Sequence, residues 1–243
     1  GMVSRALRSY SNEDTDAAAW DAIFRSFNGG AGYQPGEKIV IKINLTTSNY
    51  GFNCADENYD QLYQNSGFCW GIDDYSIGPS PQLMFALLDQ LVHVVHVAQE
   101  DITIGDSSAL FVNHLYNPLH DAFPDVIYMD KRGTMGRTLA TLSTTRLYWS
   151  APPDEIEGKN PDYVLAAAKS AKYAINLAVL KTHHLNGITV TAKNHFGSMV
   201  RTPDPGAGNN YYNLHNRLPL QPTSQMALMG QYRPLVDLNG HDD

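Results

Sequence analysis

An α/β fold is predicted, with a mainly parallel, Rossmann-like sheet flanked by helices. Two observations predict it. Short runs of almost unbroken apolar residues, "KIVIKINL", "DITIGD", "DVIYMD" and "KYAINLAVL", alternate with stretches of helical periodicity. Strands that are apolar on both faces belong to sheets covered on both sides. A chain of 243 residues is also long enough to bury about 70–75% of its unfolded surface. It reads as a single α/β domain over 1–243. An irregular insertion at 46–79 interrupts it, and the Gly/Pro/Asn-rich tail 201–243 reads as part of a truncated C-terminal region.

The elements follow in order. Residues 13–27 place Trp20, Ile23, Phe24 and Phe27 on one helical stripe, with Asp14 or Thr15 available as the cap. "NGGAGYQPGE" breaks the chain before the strand at 38–45. The insertion carries seven aromatic residues: Tyr50, Phe52, Tyr59, Tyr63, Phe68, Trp70 and Tyr75. They form either a satellite core or the lining of a groove. Ser80 and Pro81 then open a helix whose stripe is Met84, Leu87, Leu88, Leu91 and Val95.

A second strand at 101–106 leads into a helix read as interrupted at Pro118, and a third strand spans 125–130. "TTRLYWS" suits an edge strand. "PDYVLAAAKSA" is expected to be helical, and the fourth strand is expected to run over 172–180. The stretch after it is undecided: β-branched Ile188–Thr191 leans toward strand, while helical spacing aligns Thr189, Lys193 and Phe196. Either way Lys193, Asn194 and His195 fall within one turn.

Each expected strand hands over to polar residues at its carboxyl end. The first ends in Asn44, the second in Asp106-Ser107-Ser108, the third in Asp130 and the fourth in Lys181-Thr182-His183-His184. Ligands of open parallel sheets bind outside the carboxyl ends of the strands. Lysine holds carboxylate or phosphate, and becomes a base where desolvation lowers its pKa. Histidine serves near neutral pH as an acid/base or as a metal ligand. These residues therefore define a candidate site. His183, Lys181, Lys193 and Asp106 would be its catalytic groups, and Asn44, Ser107, Thr189 and Asn194 its ligand-binding groups. His183, His184 and His195 are the candidate ligands of a divalent metal. Plainer readings stand beside these: Asp106 as a helix cap, the others satisfying one another's hydrogen bonds, and His93 and His96, three residues apart on a helix, as surface or satisfied core histidines rather than a metal pair.

Composition narrows the function classes. The formal net charge is −8 and no basic run exceeds two residues, which argues against nucleic acid as a partner. No apolar run is long enough for a membrane span. Neither GxGxxG nor GxxxxGK[ST] is present, and "GDSS" lacks the pattern of a hydrolase nucleophile elbow. Cys54 and Cys69 are too few for a zinc site of their own. A disulfide between them would contribute about 3 kcal/mol in an oxidising compartment, and whether it forms is open. Gly1 ahead of Met2 resembles a tag remnant, which leaves localisation open between a cytoplasmic protein and an exported bacterial one whose leader has been removed.

Three segments, "KIVIKINL", "SPQLMFALLDQL…DITIGDSS" and "AKYAINLAVLKTHHLNGITVTAKNHFG", resemble the domain-of-unknown-function 362 (DUF362) family. The last is the most specific, carrying K-T-H, a following Thr and K-N-x-F-G. The resemblance covers roughly residues 36–200. It implies that Asn44, Asp106, Lys181, His183, Thr189, Lys193, Asn194 and Gly197 are the matching positions; His184 and His195 are outside the pattern. Some relatives carry an iron–sulfur ferredoxin module, and two cysteines cannot hold a four-cysteine cluster within this chain.

The family name supplies no reaction. The leading expectation is an enzyme binding a small anionic or carbonyl ligand, with metal-assisted acid/base or isomerase-type chemistry. The competing one is a non-catalytic, secreted binding module that uses the aromatic insertion for a glycan or protein partner.

Overall fold

In the computed structural model, described over residues 1–45, 59–60, 78–183, 187–201, 210–214 and 234–239, the core is a five-stranded parallel sheet. Its strands are β1 (Ile39–Lys42), β2 (Ile102–Gly105), β3 (Ile127–Asp130), β4 (Thr138–Leu139) and β7 (Tyr173–Asn176), in the order β4-β3-β2-β1-β7. All four pairings are parallel. Ile39, Ile41, Ile102 and Ile104 are buried with Leu88, Leu115 and Leu119 in one cluster, so β1 and β2 are sandwiched as their composition predicts, whereas β7, at the sheet edge, is only partly buried.

The strand order decides where a site can form. From β1 the chain steps outward through β2, β3 and β4, and it returns on the other side of β1 as β7. The switch point lies between β1 and β7, and open parallel sheets bind ligands beside such a point, outside the carboxyl ends of the strands.

The helices follow local chemistry. Helix α1 (Met2–Ser11) was not anticipated from the sequence. Thr15 accepts from the Ala18 N–H and starts α2 (Asp16–Phe27), which settles the choice of cap. Ser80 caps α3 (Pro81–Asp89), accepting from the Leu83 N–H. Helix α3 continues into a π-turn over Gln90–Val94, and His96, at φ 65°, ends the run; His93 and His96 are both exposed. Helix α4 (Asn113–Ala122) runs through Pro118 unbroken, correcting the expected interruption. Pro118 forfeits one backbone bond, and burial of Leu115, Tyr116 and Leu119 holds the turn together.

A second sheet departs from the sequence reading. β5 (Leu142–Leu147), β6 (Asp162–Leu165) and β10 (Met199–Arg201) pair antiparallel in the order β10-β6-β5. "DYVL" is therefore strand, and only Ala166–Ser170 is helical (α6, after α5 at Pro153–Ile156). The buried carboxylate of Asp162 anchors this sheet: Arg201 pairs with it at 2.8 Å and Trp149 Nε1 donates to it at 2.9 Å. The expected insertion 46–79 lies outside the described residues except for Tyr59, Asp60 and 78–79. Tyr59 is buried, with the Arg137 guanidinium 4.4 Å from its ring centroid.

Candidate functional site

The fourth core strand stops earlier than its hydropathy suggests. β7 ends at Asn176, and Lys181–His183 is a separate strand, β8, paired antiparallel with β9 (Gly187–Thr189). The residue at the end of β7 is thus Asn176 rather than Lys181. After β9 the chain forms a short turn of helix, α7 (Thr191–Asn194), and a 3₁₀ turn over His195–Gly197.

This helical turn drops onto the ends of β1, β2 and β7. Ser107 Oγ, just past β2, lies 3.0 Å from the Gly197 carbonyl and 2.6 Å from that of Met199. Gly197 is required by the close approach. A Cβ there would overlap Asp106 Oδ1 and come within 2.6 Å of Lys42 Cε and 2.7 Å of Lys42 Nζ.

Beneath Gly197 lies an ion pair the sequence reading missed. Lys42, the last residue of β1, is 5% exposed, and its ammonium stands 3.0 Å from Asp106 Oδ2. It also donates to Asn194 Oδ1 at 3.2 Å and to the Ile43 carbonyl, so its three protons have three acceptors. Asp106 is equally committed. Oδ2 also accepts from the Leu45 N–H at 3.1 Å, and Oδ1 accepts from the Ser108 N–H at 2.9 Å and hydroxyl at 2.6 Å. Four donors meet the four acceptor positions of one carboxylate.

Burial alone would raise the Asp106 pKa, yet Lys42 and Ser108 hold it below the ordinary carboxylate value. Burial draws Lys42 down and Asp106 opposes that shift. The three acceptors around its nitrogen assign it as the ammonium.

From Lys42 the hydrogen bonds run outward in a fixed sense. Because Lys42 donates to Asn194 Oδ1, Asn194 Nδ2 must be the donor to the Lys42 carbonyl at 3.0 Å and to Asn176 Oδ1 at 2.7 Å. Asn176 Nδ2 then donates to the Thr191 carbonyl at 3.0 Å and faces His195 Nε2 at 2.7 Å. His195 Nε2 is the acceptor in that contact, so the proton of the neutral ring is assigned to Nδ1, 3.0 Å from Ser198 Oγ. Burial, and secondarily the Lys42 charge, lower the His195 pKa, in keeping with a neutral ring.

Two more lysines stand around this floor. Burial lowers the pKa of Lys181, with the Asp106 charge opposing. Burial and then the neighbouring Lys181 ammonium push Lys193 down to about 8. Lys193 Nζ lies 4.0 Å from the centroid of the Phe196 ring. Lys42 and Lys181 thus both feel the Asp106 carboxylate, and Lys193 neighbours Lys181.

The remaining expected residues fall as follows. Asn44 is buried two residues past β1, and Thr189 is the register partner of Lys181 in the β8–β9 hairpin. The side chains of His183 and Thr189 lie outside the described residues, as does all of His184. Asp130 is fully buried and accepts from the backbone N–H groups of Phe111, Arg132 and Gly133, serving as a turn cap at the end of β3. Among the described residues no group of three His, Cys, Asp or Glu side chains is placed to hold a metal, and no helix is long and apolar enough to cross a membrane. Cys54 and Cys69 lie outside the described residues.

The fold and the strand-end cluster define an α/β protein of the open parallel-sheet class, with polar residues assembled at its topological switch point. A family model described as a domain of unknown function, DUF362, matches residues 79–231, and the chain belongs to that family. Asp106, Lys181, Lys193, Asn194 and Gly197 lie inside the matched span; Lys42 and Asn44 precede it. No curated protein and no solved structure matches the chain.

Proposed function

We propose that the cluster at the ends of β1, β2 and β7 binds a small anionic molecule, a carboxylate or a phosphate, through Lys181 and Lys193. The supporting observation is the local positive charge: Lys181 lies within electrostatic reach of Asp106 and Lys193 within reach of Lys181, beside the buried Lys42–Asp106 pair. Two partly desolvated ammonium groups beside one another are each stabilised by an incoming anion. In this reading Asp106, Ser107 and Asn194 hold the floor, while Asn44 and Thr189 position the ligand. His183 is the proposed acid/base. Both ring nitrogens of His195 face protein groups, so it is given a positioning role rather than a metal-binding one.

The test is a titration of the folded chain with acetate, pyruvate and inorganic phosphate, followed by calorimetry and by thermal shift. Binding should weaken about tenfold or more in Lys181→Ala and Lys193→Ala, as expected for losing a charge-assisted hydrogen bond. Equal affinities in wild type and both variants would refute the site. His183→Ala should bind with little change and lose turnover on any substrate that screening identifies.

A further inference from the structure

Two side-chain amides hold α7 over the strand ends, and every amide proton of both is committed. Asn176 Nδ2 gives one proton to the Thr191 carbonyl at 3.0 Å and the other to His195 Nε2 at 2.7 Å. Asn194 Nδ2 gives one to Asn176 Oδ1 at 2.7 Å and the other to the Lys42 carbonyl at 3.0 Å. Asn194 Oδ1 accepts from the Lys42 ammonium at 3.2 Å. This relay admits one protonation state of His195, because Nε2 must accept. A proton added there sets one N–H against another. Turning the Asn176 amide over offers Oδ1 to the ring, but it brings that oxygen against the Thr191 carbonyl and Nδ2 against Asn194 Nδ2. Turning Asn194 as well sets its Nδ2 against the Lys42 ammonium, which is fixed by Asp106 and the Ile43 carbonyl. No amide rotation absorbs the proton.

We infer that His195 is a proton-operated latch: the neutral ring closes α7 and the 3₁₀ turn onto the ends of β1 and β7, and a proton on Nε2 releases them. The two-state element is this short turn, and the change that moves it is one buried donor set against another. The latch holds whatever molecule the cluster binds.

The surroundings give the imidazolium no ion pair among the described residues. From β1 the Lys42 ammonium opposes a second cation, and burial acts in the same direction. From β7 comes Asn176, and beside Nδ1 stands Ser198 Oγ at 3.0 Å, both uncharged. Lys193, on α7, lies against the Phe196 ring at 4.0 Å. Asp106, past β2, is filled by Lys42, Leu45 and Ser108, and Lys181 of β8 feels that same carboxylate. Arg201 of β10 pairs with Asp162 at 2.8 Å, and Asp237 of α8 (Pro234–Asn239) accepts from the Ser150 N–H at 2.6 Å and hydroxyl at 2.7 Å. The far end of the turn has its own anchor, since Ser107 Oγ lies against the Gly197 and Met199 carbonyls at 3.0 and 2.6 Å. The released segment therefore swings about Gly197 and stays attached to the sheet there.

The test follows the isotope-labelled wild-type chain by NMR from neutral pH downward, with no ligand added. Imidazole signals give the pKa of the His195 ring. The N–H groups of Asn194 and Ser198, bonded in the closed turn to the Val190 and His195 carbonyls, report its opening through hydrogen exchange corrected for the intrinsic effect of pH. One pH unit below the ring's pKa about 90% of the rings carry the proton, and these two amides should have lost about tenfold or more in protection. The amides of β1 and β2 should still be protected there. His195→Gln, whose side-chain oxygen accepts from Asn176 Nδ2 and takes up no proton in this range, should keep the turn closed throughout. Turn amides that stay protected below the ring's pKa overturn the latch. So does a loss shared equally by β1 and β2, or one that persists in His195→Gln. The wild-type comparison of ring titration with turn exchange decides the question by itself, so it stands even where the variant fails to fold.

Discussion

The Lys42 ammonium and the Asp106 carboxylate meet at 3.0 Å beneath Gly197, and the protein itself fills the hydrogen-bonding capacity of both. Such a pair fixes geometry: it joins the end of β1 to the end of β2 and, through Asn194, to α7. Removing one partner leaves the other charge buried, which costs about 3–5 kcal/mol. Asp106→Asn and Lys42→Met are each expected to lose stability on that scale in urea unfolding. The double variant should lose less than the sum of the two, because neither charge is then stranded. Strict additivity would mean the pair is not coupled.

Gly197→Ala tests the same contact from above. Lys42 is a flexible side chain and would ordinarily move aside for a methyl group 2.6 Å from its Cε. Here its nitrogen is tethered to Asp106, Asn194 and Ile43, so that escape is closed. Overpacking of this kind costs about 1–3 kcal/mol. An unchanged unfolding midpoint would show that the turn over His195–Gly197 rides higher than described.

Much of this arrangement was legible in the sequence, and the exceptions share a cause. Apolar runs located β1, β2 and β3, and Asp106 with its serines stood out because polar residues at the end of a buried strand need partners. Lys42 did not stand out, since a lysine near the end of an apolar strand reads as a snorkelling side chain until its partner is known. Asn176 was hidden for a related reason. "LAVL" continues the apolar run beyond it, and hydropathy cannot register that Asn176 pairs with Asn194, 18 positions later. β6 was read as helix because the alanines after it are strong helix formers. Its partner β10 lies far along the chain, where local periodicity carries no information. Long-range hydrogen bonds, rather than local preference, place the ends of these elements.

Lys193 should weaken the fold that carries it. Its pKa falls from 10.5 to about 8 on folding, so the folded state disfavours its proton. A depressed folded pKa means stability is full above the unfolded value, declines as pH falls toward 8, and stays reduced below that. Lys193→Met is therefore expected to stabilise the protein by about 1–3 kcal/mol at pH 7, less the lost ring contact with Phe196. The gain should vanish by about pH 10.5, where the wild-type amine is neutral in both states. The same variant should bind small anions more weakly. A loss of stability at pH 7 would mean the Phe196 contact outweighs desolvation and the Lys181 charge.

Asn176→Asp tests the direction of the hydrogen-bond chain. In the wild type Asn176 Nδ2 faces His195 Nε2 at 2.7 Å, which requires that nitrogen to accept and assigns the proton to Nδ1. Nitrogen–proton correlation spectra of the imidazole should show this tautomer at pH 7, with a pKa below the ordinary 6.5. His195 then contributes stability that is present above pH 6.5 and lost as pH falls through its folded value. A carboxylate at position 176 can still accept from Asn194 Nδ2, but it offers His195 an acceptor in place of a donor. The ring is then stabilised as the imidazolium, and its pKa should rise above 6.5. The sign of the pH dependence reverses with it: the His195 contribution becomes full below the unfolded pKa and is lost as pH rises through the raised folded one. A wild-type His195 protonated at Nε2, or a pKa that Asn176→Asp leaves unmoved, would break the chain of donors and acceptors that starts at Lys42.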